Sequence, residues 1–339
     1  MTDHAAAPAL CITPIAGVVR YANGPEELRI GDVRFVSWET LATTWATRGF
    51  HADPTTLLRE RNVVDLEPMD VVAVAPISGP AKDAVDVTTQ AVGRAFKLLL
   101  ACNPAWGPGG KHTRPIVGMQ SKRRFGFVYG EGGVEPFHAA IAGRSFGPVH
   151  EIKFDGFWTN NQKAGFYDEL NDLLASEKEV SSEWREQLLD ATGLLGHARL
   201  ATTTWEAFLF AMIGVERLLR KDRKERWREN VERRILTLFS WLSPPELRRY
   251  DDGIVLLYEL RNVVAHAGRV ESVRHRHAAL ADEMLFNLLL VAYKHLDEVK
   301  SLDDLARRGA LVKAQVANGE RPTALPNASA MIAAFDSED

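Results

Sequence analysis

The chain has 339 residues, of which 46% are hydrophobic and 25% charged. These values are typical of globular proteins and exclude a wholly disordered, collagen-like or disulfide-scaffold protein, and the length predicts roughly two domains. The net charge of −4 argues against a protein that coats nucleic acid by bulk charge, so any such contact must come from a local basic patch.

The cysteines, histidines and apolar runs indicate the cellular compartment and exclude some kinds of site. Cys11 and Cys102 are the only two cysteines, and the ten histidines have no ligand spacing, so we expect no disulfide framework, no metal and no cofactor. The amino terminus lacks the basic and apolar regions of a signal peptide, and no apolar run approaches ~18 residues. We therefore expect a cytoplasmic protein that makes no membrane contact.

Residues 1–178 predict an α+β domain, because short apolar bursts are bounded by Gly, Pro or Asp. By analogy, this domain would sense a trigger ligand or a partner protein. The predicted strands are Leu28–Ile30, Val33–Val36, Val71–Val74, Ile116–Met119 and Phe125–Tyr129, and the predicted helices are Trp38–Arg48 and Ala84–Ala101.

Residues 179–305 predict an all-α bundle, and residues 306–339 a partly disordered extension, poorly ordered after Ala317. The fold class is therefore α+β: a mixed α/β domain followed by a helical bundle. The predicted helices are Trp184–Thr192 with an N-cap at Ser181, Thr203–Lys221, Glu225–Leu242 stopped by Pro244 and Pro245, Gly253–His266 stopped by Gly268, and Val270–Leu302.

The fourth predicted helix, Gly253–His266, carries the candidate catalytic residues. Arg261 falls on its apolar stripe, between Leu257 and Val264, and arginine is rarely buried without a partner. Asn262 and His266 share one face, while Arg261 and His266 lie about 140° apart on an ideal helix. A second copy of the helix, or the long arginine side chain, would have to close that gap.

Arginine and histidine together suit the cleavage of RNA without a metal. The Arg261 guanidinium would stabilise the charge on a phosphorane, and His266 would move the proton when the 2′-OH attacks the adjacent phosphate. Asn262 would orient the imidazole or bind phosphate. The alternative is structural: a histidine near the negative end of the helix dipole, plus an arginine ion pair.

The run Tyr258–Gly268 (YELRNVVAHAG) resembles the signature of the HEPN superfamily, and its Tyr-x-Leu-Arg-Asn-x-x-x-His form resembles the ApeA-like group. Glu216, two helices earlier, also resembles that group. The resemblance implies a metal-independent endoribonuclease of anti-phage defence or a regulated toxin, with Arg261, Asn262 and His266 at a site composed across a homodimer interface. Some members are inactive, which leaves open a non-catalytic module for dimerisation and for binding RNA or protein. A ligand sensor in which the bundle only relays dimerisation is a third reading.

Two further features each have two interpretations. Glu216 either pairs with Arg261, as part of the catalytic set, or meets Arg220 one turn later. The basic stretch 217–234 is either an RNA-binding patch with Trp227 as a stacking aromatic, or a solvated face interrupted by acidic residues. The predicted RNA-binding residues are Arg220, Lys221, Arg223, Lys224, Arg274 and Arg276.

Overall fold

The structure is a computed structural model, and it describes residues 10–15, 18–20, 22–37, 40, 71–76, 81–104, 123–130, 133–140, 152–154, 164–221, 224–240 and 244–320. The chain divides into two compact units. The first comprises Met1–Phe96 and Pro115–Asn161, and the second comprises Lys97–Arg114 and Gln162–Asp339.

The first unit contains an antiparallel six-stranded sheet in the order β3-β4-β5-β1-β6-β7, and a parallel pair formed by β2 and β8. The strands are β1 Leu10–Ile15, β2 Val18–Arg20, β3 Glu27–Ile30, β4 Val33–Ser37, β5 Val71–Pro76, β6 Arg123–Gly130, β7 Gly133–Ala140 and β8 Ile152–Phe154. Helix α1, Ala81–Ala101, belongs to this unit as far as Phe96.

Alternating and continuous apolar patterns explain the central strands. In β3 the exposed and buried residues alternate, whereas β5 is buried from Val71 to Ala75, as expected for a strand covered on both faces. Phe35 on β4 packs against Phe96 on α1, with ring centroids 6.0 Å apart. These contacts form the apolar core of this unit.

The α+β class is confirmed, and so are most of the strands that lie within the described residues. The predictions at residues 28–30, 33–36, 71–74 and 125–129 each fall inside an observed strand. Those at 116–119 and 38–48 lie outside the described residues, apart from Thr40. Strands β1, β2, β7 and β8 were not predicted.

The second unit is helical in its described part. Its helices are α2 Tyr167–Leu174, α3 Ser182–Leu200, α4 Thr204–Leu219, α5 Glu232–Leu238, α6 Pro244–Ala267, α7 His275–Lys294 and α8 Leu302–Ala317. A π-helical turn, Trp227–Val231, precedes α5, and a 3₁₀ turn, Val270–Ser272, precedes α7.

Side-chain caps set the beginnings of two helices. The predicted cap at Ser181 is confirmed, because its side chain accepts a hydrogen bond from the backbone N–H of Trp184. Thr203 and Glu206 form a reciprocal capping box at the start of α4. The caps satisfy backbone groups that have no partner within the helix.

Helix α7 is the centre of the second unit, since almost every residue from His277 to Tyr293 is buried. Helix α4 packs closely on it at Gly214, where any side chain would overlap Leu285. The ring of Tyr293 stacks on Phe166, with centroids 4.5 Å apart. This packing fixes α4, the helix that carries Glu216.

A buried ion pair ties three segments of this unit together. Arg199 on α3 contacts Asp282 on α7 through two hydrogen bonds of 2.9 and 3.0 Å, and both side chains are only 2% exposed. Its third nitrogen donates to the backbone carbonyls of Leu100, Ala101 and Asn103. Every nitrogen of this guanidinium is therefore occupied inside the protein.

Four predicted helices differ from the structure. The helix predicted over 184–192 continues to Leu200. Helix α6 begins at Pro244 rather than Gly253, because proline lacks only an N–H that the first helical turn leaves unpaired. The helix predicted over 225–242 is a π-helical turn followed by the short α5. The helix predicted over 270–302 is broken after Ser272 and again after Lys294.

The predicted stop at Gly268 is confirmed. Its φ of +65° is left-handed, and its N–H donates to the carbonyl of Val264 at 3.1 Å. The second unit also takes up residues 164–178, which the sequence assigned to the first domain, and α8 reaches Ala317, beyond the predicted bundle limit at 305. Among the described helices, none has the length and apolar character needed to cross a membrane.

Candidate functional site

The candidate site lies on the last turns of α6 and on the facing part of α4. Ile254, Leu257 and Val264 form the buried side of α6, at most 5% exposed, and they hold the helix against the bundle. The helix ends at Ala267, with Gly268 as its stop. The packing thus gives the Arg261-to-His266 segment a fixed backbone.

Arg261 is paired with Glu216. The guanidinium Nη2 donates to the Glu216 carboxylate at 2.9 Å, and the two side chains are 20% and 13% exposed. Of the two interpretations of Glu216, the contact with Arg261 is therefore the one observed. It links α6 to α4 across 45 residues of sequence.

Asn262 extends the same cluster. Arg261 Nη1 donates to the Asn262 side-chain oxygen at 3.2 Å, and the Nε–H of Arg261 is buried with no acceptor among the described residues. A guanidinium has five N–H donors. The two contacts use one N–H each of Nη1 and Nη2, so each terminal nitrogen of this partly exposed cation keeps a second N–H with which to bind a further anion, whereas the Nε–H is buried.

His266 is exposed in the last turn of α6, and no hydrogen bond or ion pair within the described residues fixes its ring. The structure therefore brings Arg261, Asn262 and Glu216 together but leaves His266 separate from them, five residues further along the helix. An exposed imidazole can exchange protons with solvent or with a bound substrate.

Three basic residues of the stretch 217–234 form ion pairs within the protein. Arg217 pairs with Asp190, Lys221 with Asp303 and Arg234 with Glu225, at N–O distances of 2.8 to 3.2 Å. Arg220 donates to the backbone carbonyl of Glu225 at 3.0 Å. Of the remaining predicted contacts here, Lys224 is exposed and Arg223 lies outside the described residues.

Trp227 does not serve as an exposed stacking aromatic, so that part of the RNA-patch prediction is wrong. Its side chain is 6% exposed, and its ring stacks on Tyr258 with centroids 4.6 Å apart and planes 7° apart. The apolar indole is buried against α6 because exposure would leave its large surface in water. No spacing in the sequence identifies Tyr258 as its partner.

Arg274 and Arg276 both precede a second histidine, His277. Arg274 is exposed and Arg276 half-buried, and the backbone N–H of Arg274 donates to His277 Nδ1 at 3.1 Å. Burial, followed by the charges of Arg276 and Arg274, lowers the pKa of His277. The neutral ring therefore accepts a hydrogen bond at the start of α7, and Arg274 is a predicted RNA contact that is exposed to solvent.

Glu283 and the Arg199–Asp282 pair are the charged groups that the sequence reasoning missed. Burial, with a smaller contribution from Asp282, raises the pKa of Glu283 to about 9. The signal was present as two adjacent carboxylates inside the apolar run of α7, LADEMLF. Such carboxylates must be paired or neutral.

Comparisons with known proteins identify no relative. No family model matches the chain, and no curated protein or solved structure is similar to it. In the described part of the chain, no three His, Cys, Asp or Glu side chains are grouped so that they could hold a metal ion.

Proposed function

We propose that this protein is a metal-independent endoribonuclease of the HEPN type, acting in anti-phage defence or as a regulated toxin. The observation that carries the proposal is the Arg261–Glu216 pair, in which a partly exposed guanidinium with spare donors is held on the same helix as an exposed histidine five residues later. Arg261, Asn262 and Glu216 would form the anion-binding part of the site, and His266 the proton-transfer part.

The reaction needs no group beyond RNA and protein side chains. His266 takes the proton from a ribose 2′-OH, whose oxygen attacks the adjacent phosphorus. The bond from phosphorus to the 5′-oxygen breaks, and that oxygen takes a proton, leaving a 2′,3′-cyclic phosphate and a 5′-hydroxyl. Arg261 stabilises the extra negative charge of the pentavalent phosphorane through its free donors.

A second copy of the chain would supply the acid. One histidine cannot accept the proton of the 2′-OH and donate a proton to the leaving 5′-oxygen in the same step. In a homodimer the second imidazole would therefore protonate the leaving oxygen. Four large apolar side chains are exposed among the described residues, and two of them, Leu256 and Val263, lie on α6 at 44% and 36%. They share a stripe with Glu259 and His266, which favours a self-complementary contact through this face.

The experiment is RNA cleavage in EDTA by the wild type and by His266→Ala. Wild-type protein should yield 2′,3′-cyclic phosphate ends, and His266→Ala should lose at least ~100-fold in kcat. His275→Ala, an exposed histidine on α7, is the matched control and should keep kcat within about twofold. Equal cleavage by wild type and His266→Ala would remove the catalytic role.

The second candidate is a non-catalytic module that dimerises and binds RNA or protein. The observation in its favour is that Arg217, Lys221 and Arg234 are engaged in internal ion pairs, which reduces the charge offered to RNA. This candidate predicts a homodimer by analytical ultracentrifugation that is weakened by Val263→Asp, with no cleavage of any RNA in a broad pool. Cleavage lost in His266→Ala would decide against it.

A further inference from the structure

Among the described residues between α4 and α5, one largely buried carboxylate makes several contacts. Glu225, only 9% exposed, forms a two-point pair with Arg234, through contacts of 2.8 and 2.9 Å. It also accepts the backbone N–H of Lys221 at 2.7 Å, and Arg234 donates to the carbonyl of Leu219 at the end of α4. We refer to Glu225 and Arg234 as the clamp.

The clamp fixes the position of Trp227, two residues after Glu225. The indole begins the π-helical turn and stacks on Tyr258 of α6. Helices α4 and α6 are therefore joined twice: directly by the Glu216–Arg261 pair, and indirectly through the clamp and the ring stack. The first link reaches α6 at Arg261 and the second at Tyr258, three residues earlier.

Helix geometry brings the ring stack next to Arg261. Tyr258 precedes Arg261 by three residues and Asn262 by four, so the three side chains share a face. Helical side chains lean back over the preceding turn, which places the Arg261 and Asn262 side chains toward the stack. Two stacked rings in parallel planes form a rigid wall with few rotamers.

We propose that the Trp227–Tyr258 stack, held by the Glu225–Arg234 clamp, positions Arg261 against Glu216 so that the free donors of its guanidinium meet the scissile phosphate. The basic stretch would then serve the site by orienting its arginine rather than by binding RNA backbone. Trp227 and Tyr258 are therefore positioning residues, and their effect on catalysis rests on the proposed function.

The first test compares kinetics of folded variants in EDTA. Trp227→Leu keeps an apolar side chain but removes the stack, and should lower kcat about ten- to a hundredfold with KM within about twofold. Trp227→Phe should restore kcat to within about threefold, since a phenyl ring still stacks. Trp184→Leu, a buried tryptophan on α3, is the matched control and should leave kcat within about twofold although it destabilises the protein. An equal loss of kcat in Trp227→Leu and Trp184→Leu would overturn the proposal.

The second test needs no catalysis, so it separates this proposal from the proposed function. The coupling between Glu216→Ala and Arg261→Ala is measured by a double-mutant cycle on urea unfolding, in the wild type and in Tyr258→Leu. Loss of the stack should reduce the coupling by more than half, even if no RNA is cleaved by any variant. An unchanged coupling in Tyr258→Leu would refute the positioning role.

Discussion

Two arginines of the helical unit each pair with a carboxylate on another helix. They differ in how many of their N–H donors remain unpaired. Arg199 is 2% exposed, pairs with Asp282 and uses its third nitrogen on backbone carbonyls. Arg261 is 20% exposed, pairs with Glu216 through one nitrogen and retains unused donors. The first guanidinium has no capacity for a ligand, whereas the second does.

The difference gives a physical criterion for separating a structural arginine from a functional one. A buried charge must be paired and hydrogen-bonded on every side, so a structural arginine has all of its donors occupied by protein acceptors. A guanidinium that is to bind a phosphate must keep donors free and accept partial exposure, and its partner carboxylate then orients it. By this criterion Arg199 holds the bundle together, and Arg261 is suited to bind a ligand at the candidate site.

The largest expected effect breaks the buried pair. Asp282→Ala leaves Arg199 charged and uncompensated in the core, and should lower the free energy of unfolding by about 3–5 kcal/mol. The corresponding change at the site, Glu216→Ala, should cost less than about 1.5 kcal/mol because solvent compensates Arg261. Urea unfolding followed by circular dichroism measures both. Equal losses for the two variants would contradict the distinction.

The next effect is catalytic and uses lysine at both arginines. Arg261→Lys keeps the charge but loses the fork of donors, so kcat should fall by ~100-fold while the free energy of unfolding changes by less than about 1 kcal/mol. In contrast, Arg199→Lys should destabilise the protein by about 2 kcal/mol or more, since carbonyl and carboxylate acceptors lose their donors. Single-turnover cleavage and urea unfolding are measured on the same preparations. Full activity in Arg261→Lys would show that only the charge matters.

The local signals in the sequence were reliable where one residue decides the backbone. The cap at Ser181 follows from its hydroxyl and the stop at Gly268 from the lack of a side chain, and the structure has both. The start of α6 at Pro244 was missed because a proline that ends one helix equally well begins the next.

The tertiary contacts could not be predicted in the same way. Spacing along one helix fixes the relative positions of Arg261 and Asn262, so these residues could be predicted as site candidates. The same spacing does not decide whether Glu216 pairs with Arg261 or with Arg220. The stack of Trp227 on Tyr258 depends on how a π-helical turn folds back on α6, which no periodicity encodes. Charge runs are similarly ambiguous, because the partners Asp190 and Asp303 are distant in sequence.

A smaller effect concerns the buried carboxyl next to Asp282. The pKa of Glu283 is raised to about 9 in the folded protein, against about 4.3 in an unfolded chain. Between these values the folded state binds more protons, so Glu283 makes the protein less stable as pH rises. Glu283→Gln should therefore exceed the wild type in unfolding free energy by about 1–3 kcal/mol at pH 7, with the difference vanishing near pH 4.

The control for this pH dependence is Glu271→Gln, which replaces an exposed carboxylate near the start of α7. Its unfolding free energy should stay within about 0.5 kcal/mol of the wild type at every pH. Urea unfolding at several pH values between 4 and 9 measures both variants. A constant difference between Glu283→Gln and the wild type would mean that Glu283 is not protonated in the folded protein.

The smallest effect lies at the exposed edge of the site. Arg274→Ala removes a predicted RNA contact that is exposed to solvent, and should raise KM about threefold with kcat unchanged. The slope of log KM against log salt should decrease by ~1, as for one lost phosphate contact. An unchanged slope would place the RNA away from the start of α7.

The most direct test of the central claim is the end chemistry of RNA incubated with this protein in EDTA. The account predicts fragments with 2′,3′-cyclic phosphate and 5′-hydroxyl ends from the wild type, and their loss both in His266→Ala and in Arg261→Ala. Both variants should remain folded, because His266 is exposed and Arg261 is only partly buried. Cleavage that requires a divalent metal, or that persists in both folded variants, would contradict it.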